Sequence, residues 1–431
     1  MNYSEALIYI DSICGLGSKL DLSRISEILA RLGNPQEKYK IIHVAGTNGK
    51  GSACSMLSQI LISAGYKTAE YTSPHLERYN ERFVINNKEI SNDDYAKYMG
   101  IIKKNADEME EEGFGRPTVF EHLTALGFLY FADNHVDFAV IEVGLGGRFD
   151  ATNVVKAPIL SVIASISFDH TEYLGNTLES IAFEKGGIIK QGCPVVLYNQ
   201  SECVYNVIKK LSDERNSKLY YAFDEKIDVI RQNIDETILS VKNEYFEYND
   251  VLLPLIGEYQ IKNCTLVLLA AYALKQSGIP ITDKNIRDGI FKAKWNGRME
   301  VCRKNPLIVL DGAHNPDGIL MLAKSAEKYF AGKKLVLLMG VLSDKEYGKM
   351  AEEIIPLADA VVITRPDSER ALSADGLKKV ALKYCDRVYS LENIDEAYEF
   401  AIGLVDKEDV LLCAGSLYLV GRLRTLIMGG N

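Results

Sequence analysis

The most informative stretch of the sequence is residues 43–52, HVAGTNGKGS, a glycine-rich loop that joins the apolar run 41–45 to an amphipathic segment. Small residues let backbone N–H groups turn inward, Lys50 supplies a positive charge, and a helix beginning near Lys50 directs its positive dipole end toward bound phosphates. The common motif G-x-x-x-x-G-K-[ST] would need glycine in place of Val44 and a hydroxyl residue in place of Gly51. The stretch therefore predicts a phosphate-binding loop with unusual spacing.

The structural alternative for this stretch is a tight turn between a strand and a helix. The segment after the loop has apolar residues at helical spacing, which predicts a helix with one packed face. Those residues are Ala53, Met56, Leu57, Ile60, Leu61 and Ala64. A packed helix fits both interpretations, so it does not decide between them.

Bulk composition excludes several classes of protein. A chain of 431 residues usually needs more than one hydrophobic core, so we expect two domains. A net charge of −10 argues against binding to nucleic acid or an anionic membrane. Residues 1–10 carry no basic signal-peptide region, and no run of about 18 apolar residues occurs, so we expect a cytoplasmic protein. The eight cysteines form no C-x-x-C pairs, which disfavours a zinc site or a disulfide framework.

Short apolar runs alternate with amphipathic segments, the pattern of parallel sheets covered by helices. The predicted strands of a first sheet are 41–45, 68–71, 138–143, 159–164 and 194–198, followed by a small antiparallel patch within 226–248. A second series of strands is predicted at 307–310, 335–340, 360–364, 388–391 and 410–413. We therefore predict an α/β protein with a parallel-sheet phosphate-loop domain over 1–296 and a smaller Rossmann-like domain over 297–431.

Three polar residues follow strands of the first predicted sheet. Ser73 comes after 68–71, Glu142 ends the apolar run 136–143, and His170 follows the run 159–168. Ligands gather at the carboxyl ends of parallel strands, and a buried carboxylate is costly unless it faces a cation. A turn serine and a structural histidine are the alternatives, but together these residues indicate a Mg²⁺ site.

Several further residues are candidates for binding or catalysis. Residues 144–153 form a second glycine-rich loop with one cation, Arg148, and are interpreted either as a loop that closes over a substrate or as a plain connection. Lys185 lies among apolar residues at a helix end, where lysines usually reach solvent or pair with a carboxylate such as Glu184. The amides of Gln260 and Asn263 suit an adenine edge, although capping explains them equally well.

The second half of the sequence has three candidate binding residues, which lie near a predicted strand end or near the predicted domain boundary. Asp311 follows the strand 307–310 and can accept a hydrogen bond from a ribose hydroxyl. His314 can meet a phosphoryl group across a domain cleft, and Arg298 at the hinge offers a planar cation to phosphates. Each of the three also fits a structural role.

The order of these motifs resembles the folylpolyglutamate/dihydrofolate synthase family of Mur ligases over nearly the whole chain. The matching stretches are 43–52, 72–76, 142–153, 168–175, 184–188, 296–298, 311–315 and 414–421. The resemblance implies an ATP-dependent amide ligase. It implies Mg²⁺ bound by Ser73, Glu142 and His170, and ATP bound by Gly49, Lys50, Gly51, Ser52, Asn263, Arg298 and Asp311.

The same resemblance gives roles to other residues. The family lysine that matches Lys185 is carbamylated, which implies an anion that helps to hold a second Mg²⁺. Phe120 and Glu121 match a segment on the folate side, and Arg82 is expected to meet substrate carboxylates. Core packing and a surface ion pair are the alternatives for these three residues. Residues 15–22 are a further candidate for a pteroate pocket.

The implied reaction transfers the γ-phosphoryl group of ATP to a pterin-linked carboxylate, and the amine of L-glutamate then attacks the acyl phosphate. Lys50, Lys185 and His314 are the expected catalytic residues. The substrate is either dihydropteroate, tetrahydrofolate or both. A Mur-type cell-wall ligase is disfavoured because no room exists before residue 41 for its additional domain. A nucleotide-dependent binding or switch protein is the non-enzymatic alternative, and in either case we expect a monomer with small-molecule partners.

Overall fold

A computed structural model describes residues 1–13 and 21–429, which fall into two compact units. The first unit comprises Met1–Asp228, Ser240–Val251 and Asn263–Ala293. The second comprises Val229–Leu239, Leu252–Lys262 and Lys294–Asn431. The second unit thus takes in two short segments that precede the main part of its chain.

The helices and strands up to residue 293 alternate as the sequence predicts. The helices are α1 Tyr3–Ser12, α2 Ser23–Arg31, α3 Lys50–Ser63, α4 Asn92–Glu111, α5 Val119–Asp133, α6 Thr171–Leu174, α7 Leu178–Lys185, α8 Glu202–Glu214, α9 Glu258–Gln276 and α10 Asp283–Lys292. The strands are β1 Lys40–Ala45, β2 Thr68–Tyr71, β3 Phe83–Ile85, β4 Lys88–Glu89, β5 Phe138–Glu142, β6 Leu160–Ile163, β7 Val195–Leu197, β8 Leu219–Tyr220, β9 Lys226–Gln232, β10 Thr237–Lys242 and β11 Glu247–Leu253.

Eight strands form the first sheet in the order β4-β3-β2-β5-β1-β6-β7-β8. The strands from β2 to β8 in this order are parallel, and Val44 of the central strand lies opposite both Glu142 and Val162. The β3–β4 hairpin extends the sheet in antiparallel fashion. Asn86 and Asn87 form its turn with φ of 47° and 66°, the conformation of a type I′ hairpin turn. This hairpin was not predicted, because strands of two or three residues leave little pattern in the sequence.

Helix α3 lies at the centre of the first unit. Every residue from Gly51 to Leu61 is buried, so the expectation of an amphipathic helix with one packed face is wrong. Helix α10 approaches α3 closely because Gly289 has no side chain: a Cβ there would lie 2.5 Å from the Cα of Ile60. Because protein surrounds α3, its N-terminal N–H groups are held in one direction. They therefore point toward the glycine-rich loop that precedes the helix.

Strands β9, β10 and β11 form a separate three-stranded sheet in the order β11-β10-β9, where the sequence predicted a small patch. The last part of the chain folds around a six-stranded sheet. Its strands are β12 Glu300–Lys304, β13 Leu307–Asp311, β14 Leu335–Met339, β15 Ala360–Ile363, β16 Val388–Ser390 and β17 Val410–Ala414. The helices are α11 Pro316–Tyr329, α12 Tyr347–Ile354, α13 Ala374–Ala381, α14 Ile394–Ile402 and α15 Leu417–Met428.

This sheet has the order β12-β13-β17-β14-β15-β16, so the last strand of the chain lies in its centre. All neighbours are parallel except β12, which pairs antiparallel with β13 at the edge. Strand β12 was not predicted, because its half-buried and exposed residues show little apolar pattern. The five predicted strands are present within a residue or two of their expected ends, and the predicted α/β class is confirmed. In the part of the chain that is described, no helix is both long and apolar enough to cross a membrane.

Candidate functional site

The glycine-rich loop after β1 is held by the segment that follows β6. The N–H of Thr47 donates to the carbonyl of Ser165 at 2.6 Å, and the Thr47 hydroxyl donates to the carbonyl of Ser167 at 3.0 Å. Gly46 has φ of 153°, and a Cβ on it would lie 2.7 Å from the Cβ of Ala164. These contacts join the ends of two neighbouring strands, β1 and β6, and hold the loop between them.

Gly49 caps α3 in the left-handed region, with φ of 85°. A Cβ at this position would overlap the side-chain oxygen of Asn263, which belongs to α9. The structure therefore brings the predicted ATP residue Asn263 against the start of α3, although more than two hundred positions separate them in the chain. Gly51 and Ser52 follow in the first turn, where both are buried.

Lys50 and Glu142 lie side by side at the carboxyl ends of β1 and β5. The Lys50 Nζ is 3.8 Å from Glu142 Oε1, and it also donates to the carbonyl of Thr47 at 3.0 Å. The backbone N–H of Ser73 donates to the other carboxylate oxygen, Glu142 Oε2, at 3.0 Å. Three predicted site residues from three strand ends thus meet around one buried carboxylate.

His170 follows β6 and caps the short helix α6 with φ of 49°. Its side chain is 44% exposed, and its Nε2 is 3.8 Å from Asp169 Oδ1. Within residues 1–13 and 21–429, no three His, Cys, Asp or Glu side chains are grouped as a metal site. A single buried carboxylate beside a phosphate loop still fits Mg²⁺, which proteins commonly bind through one or two carboxylates together with substrate phosphates and water.

Lys185 is buried, with 4% of its surface exposed, and its Nζ donates to the carbonyl of Gly46 at 2.8 Å. Burial, and secondly the charge of Lys50, lower the pKa of the Lys185 amine to about 7. Pairing of Lys185 with Glu184 does not occur: the Glu184 carboxylate faces the Arg148 guanidinium at 3.5 Å. The sequence alternatives of a solvated or locally paired lysine are therefore wrong, because neighbouring residues of a helix point in different directions.

The second glycine-rich loop is tied down by buried polar groups. Asp150 accepts hydrogen bonds from the N–H of Leu145 at 2.8 Å and from the Thr152 hydroxyl at 2.5 Å, and burial raises the pKa of Asp150. The Thr152 hydroxyl also contacts His43 Nε2 at 2.8 Å. At the start of the loop, a Cβ on Gly144 would lie 2.5 Å from the ring of Phe120. These contacts favour a second glycine-rich loop that stays in one conformation over one that opens and closes.

The three candidate substrate residues have different surroundings. Phe120 is half-buried, with its ring centre 6.2 Å from that of Tyr71. The Glu121 carboxylate caps α5 by accepting from the N–H and the hydroxyl of Thr118, which is a structural role. Arg82 lies in the segment after β2 and donates from Nε to another side chain of that segment. The candidate pteroate segment lies outside the described residues over 15–20.

In the second unit, Asp311 is a buried anchor. Its carboxylate accepts from the Tyr259 hydroxyl at 2.7 Å, the N–H of Met299 at 2.9 Å and the N–H of Ala313 at 2.8 Å. Burial and then Asp311 raise the pKa of Tyr259 well above its ordinary value, whereas Arg298 acts in the opposite direction. The role of Tyr259 could not be predicted, because no local pattern connects it to Asp311, 52 residues further along the chain.

His314 has one ring nitrogen defined by the backbone. Its Nδ1 lies 2.8 Å from the carbonyl of Gly312. A carbonyl oxygen only accepts, so Nδ1 carries a proton and donates. When the ring is neutral, Nε2 is then an acceptor.

Comparisons with known proteins cover nearly the whole chain. Residues 44–271 match the Mur ligase middle domain, and residues 297–417 match the Mur ligase glutamate ligase domain. The chain is 36% identical to the dihydrofolate synthase/folylpolyglutamate synthase of Bacillus subtilis, over 98% of both chains. Folylpolyglutamate synthase of Mycobacterium tuberculosis, complexed with ADP and AMPPCP, superposes with a TM-score of 0.89 at 33% identity, over 99% of each chain. Escherichia coli FolC, in complex with DHPP and ADP, superposes with a TM-score of 0.89 at 27% identity, covering 100% of this chain and 98% of the other.

Proposed function

The chain belongs to the folylpolyglutamate/dihydrofolate synthase family of ATP-dependent Mur ligases, and from this premise we propose that it adds L-glutamate to tetrahydrofolate and also to dihydropteroate. The observation that carries the proposal is the contact between Lys50 and Glu142 at the mouth of the phosphate loop, 3.8 Å apart. A cation for phosphate and a carboxylate for a metal ion lie side by side at the head of α3. That pairing suits activation of a carboxylate by ATP.

Binding of ATP is supported by the fixed geometry of the loop. We propose that the N–H groups of residues 49–52 cradle the phosphates, with Lys50 neutralising the terminal group. Asn263 touches the loop at Gly49 and is suited to the adenine or its ribose. Arg298 and Asp311 are the remaining proposed ATP residues, and the boundary between the two domains is proposed at 296/297.

The magnesium site is proposed to consist of the Ser73 hydroxyl, the Glu142 carboxylate and the His170 imidazole. When bound there, Mg²⁺ would supply charge neutralisation for the transferring phosphoryl group. Glu142 is held ready by the N–H of Ser73, so its carboxylate does not have to reorganise. This saving of reorganisation is how a preorganised site stabilises charge.

In the proposed reaction, a carboxylate oxygen of the folate or pteroate attacks the γ-phosphorus of ATP, and the bond to the β-phosphate oxygen breaks to release ADP. The α-amine of L-glutamate then attacks the acyl phosphate carbon. The amide bond forms, inorganic phosphate leaves and the amine loses a proton. His314, whose Nε2 is an acceptor in the neutral ring, is proposed as a second-domain residue that acts on the phosphoryl group.

Lys185 is proposed to be carbamylated. Addition of carbon dioxide to an uncharged amine forms an N–C bond and releases one proton, which leaves a carbamate anion. A pKa of about 7 means that a large fraction of the buried amine is uncharged near neutral pH. The resulting anion beside Gly46 is suited to a second Mg²⁺. Arg82, Phe120 and Glu121 remain proposed substrate contacts, and the protein is proposed to be a cytoplasmic monomer.

The decisive experiment measures ADP formation with Mg-ATP and L-glutamate, with dihydropteroate in one reaction and tetrahydrofolate in another, and records the product masses. We expect ADP and a product one glutamyl unit heavier in both reactions. Activity with dihydropteroate alone would restrict the function to dihydrofolate synthesis. ADP release that ignores both glutamate and folate would favour a nucleotide switch and overturn the proposal.

A further inference from the structure

His43 is a buried histidine in the middle of β1, with 0% of its surface exposed. Its backbone pairs with Ile141 of β5 on one side and with Ser161 of β6 on the other. Its Nε2 lies 2.8 Å from the Thr152 hydroxyl, and among the described residues no group is hydrogen-bonded to its Nδ1. Burial, and secondly the charge of Lys190, lower the pKa of His43 to about 3, so the ring is neutral near neutral pH.

The hydrogen bonds that begin at His43 have a fixed direction. A carboxylate only accepts, so the Thr152 hydroxyl donates its one proton to Asp150, at 2.5 Å. Thr152 Oγ1 is then the acceptor toward His43, and the proton of the neutral ring lies on Nε2. His43 therefore donates to Thr152, and Thr152 donates to Asp150. We call these three side chains the His43 chain.

The His43 chain joins the strand before the phosphate loop to the second glycine-rich loop, residues 144–153. His43 lies three residues before Gly46 of the phosphate loop. At the other end, the Asp150 carboxylate accepts from the N–H of Leu145 at 2.8 Å and so closes the second loop on itself. Two residues 109 positions apart, His43 and Thr152, thus fix this loop to β1.

The second glycine-rich loop packs against the helix end that carries Lys185. The N–H of Arg148 donates to the carbonyl of Glu184 at 2.8 Å. A Cβ on Gly147 would lie 2.9 Å from the carbonyl oxygen of Lys185 and 3.0 Å from its Cα. Because these two stretches of backbone are in direct contact, the position of the loop sets the position of the Lys185 backbone.

The amine end of Lys185 contacts the phosphate loop, where its Nζ donates to the carbonyl of Gly46 at 2.8 Å. The lysine thus bridges two loops, and the His43 chain connects the same two loops a few residues away. A shift of the second loop relative to β1 would move the amine relative to the phosphate loop. A misplacement of a reacting group by about 1 Å can cost about a hundredfold in rate.

We propose that His43 and Thr152 are positioning residues for Lys185, because their hydrogen bonds to Asp150 hold the second glycine-rich loop, and with it the Lys185 backbone, in place against β1. This rests on the catalytic role proposed for Lys185. Both residues act through Lys185, so their loss affects the chemical step more than the binding of substrates. The alternative is that the His43 chain only stabilises the fold.

The first test removes the hydroxyl in the middle of the chain. Valine has the shape of threonine without the hydroxyl, so Thr152→Val breaks the chain on both sides, whereas Thr152→Ser keeps the donor and the acceptor. We expect Thr152→Val to lower the kcat for glutamylation about tenfold or more, with the KM for ATP changed less than about twofold. Thr152→Ser should recover most of the kcat.

A second pair of variants changes the donor. The amide nitrogen of His43→Gln can donate to Thr152 in place of Nε2, whereas His43→Leu cannot donate. His43→Leu should lower kcat as Thr152→Val does, and His43→Gln should retain more of it. The double variant His43→Leu/Thr152→Val should lose no more than the larger single loss, because both substitutions break the same chain.

The position of Lys185 can also be followed without turnover. NMR of lysine labelled at Cε, assigned with Lys185→Met, reports the surroundings of its amine. The Lys185 resonance should move in Thr152→Val and His43→Leu and return toward wild type in Thr152→Ser and His43→Gln. Thr68→Val is the matched control: Thr68 is 1% exposed, and its hydroxyl donates to the carbonyl of Tyr66 at 3.2 Å, at the start of β2. It should leave kcat and the Lys185 resonance unchanged.

Lowered melting temperatures combined with a wild-type kcat and an unmoved Lys185 resonance would overturn the inference, since the chain would then only stabilise the fold. Losses in Thr152→Ser as large as those in Thr152→Val would also overturn it. If the His43 variants do not fold, the Thr152 pair decides the question. Failure of the proposed function looks different: the wild-type protein would glutamylate neither compound, while the Lys185 resonance would still test the positioning.

Discussion

Two lysines approach the same glycine-rich loop and have opposite surroundings. Lys50 lies at the head of α3, 3.8 Å from the Glu142 carboxylate. Lys185 is buried behind the loop, where its nitrogen donates to the carbonyl of Gly46 at 2.8 Å. Both lysines therefore donate to a backbone carbonyl of one turn, at Thr47 and at Gly46. Among residues 1–13 and 21–429, a carboxylate contacts Lys50 but none contacts Lys185.

The protonation state of each lysine depends on its surroundings. A carboxylate neighbour favours the ammonium form, whereas burial without one favours the neutral amine. Burial lowers the pKa of Lys185 to about 7, while the more distant charges of Asp169 and Asp150 oppose the shift. Lys50 is thus suited to act as a fixed charge and Lys185 as a reactive amine.

The largest expected effect comes from removing the fixed charge. Lys50→Ala should fold normally and lose about a hundredfold or more in kcat/KM, which corresponds to about 3 kcal/mol of transition-state stabilisation. ADP formation and circular dichroism measure the two quantities. Lys156→Ala, which removes an exposed lysine paired with Glu37, is the control and should retain full activity. Full activity of Lys50→Ala would contradict the role of the loop.

The next effect concerns the loop that presents Lys50. Gly49→Ala places a Cβ on Asn263 at φ of 85°, and should weaken ATP binding about tenfold through about 1–2 kcal/mol of strain. Gly65→Ala is the matched control, because Gly65 has φ of 93° and open space around it. It should lower the melting temperature without changing the affinity for ATP. Calorimetric titration distinguishes the two, and equal ATP affinities would contradict the proposed cradle.

The lowered pKa of Lys185 predicts that the stability of the protein depends on pH. The pKa of Lys185 is about 7 in the folded protein, against an ordinary lysine value of 10.5, so between these values the unfolded chain binds more protons. The free energy of unfolding should therefore rise with pH across this window when carbon dioxide is excluded, and Lys185→Met should lack that rise. Thermal melts at about pH 7, 8 and 9 measure it. Equal slopes for the two proteins would show that Lys185 stays protonated.

Carbamylation gives a second observable for the same lysine. Labelled bicarbonate should produce a carbamate signal in carbon NMR that grows as the pH rises through the pKa of the amine, together with an added mass of one carbon dioxide. Lys185→Ala should lose both the signal and most of the activity. A bare amine combined with full activity of Lys185→Ala would end the hypothesis.

The smallest expected effect is a change in the pKa of Lys185. It tests whether that pKa depends on charges near the amine in space or on neighbours in the sequence. Asp169→Asn removes the negative charge that most opposes the shift of Lys185, so the pKa of Lys185 should fall further. Glu184→Gln should leave it unchanged, because Glu184 pairs with Arg148 although it precedes Lys185 directly. NMR of lysine labelled at Cε, assigned with Lys185→Met, measures both pKa values. A larger shift from Glu184→Gln would contradict the assignment of these neighbours.

Much of the candidate site was predictable from the sequence because strand ends leave local signals. The strand at Thr68–Tyr71 has the predicted limits, Ser73 follows it, and Glu142 is the last residue of β5. Parallel strands point their carboxyl ends to one edge, so residues after consecutive strands were bound to converge. The buried environment of α3 was not predictable, since its central position follows from packing of α10 at Gly289.

Which side chains contact each other could not be predicted from the sequence. Tyr259 donates a hydrogen bond to Asp311. Glu184 forms an ion pair with Arg148 and not with the adjacent Lys185. Arg82 donates a hydrogen bond to His75. The first two pairs join residues far apart in the chain, and the third depends on how one segment folds back on itself. A local pattern carries no information on such partners.

The α/β class, the glycine-rich loop at 43–52 and the family could be predicted from the sequence, because glycines, a lysine and strand periodicity are local properties of the chain. The packing of the chain was needed to show that Lys50 faces a carboxylate, that Lys185 is a buried amine and that Arg82 has no carboxylate neighbour among the described residues. The physical reason is that charge state and reactivity depend on solvent exposure and on neighbours in space, and packing sets both.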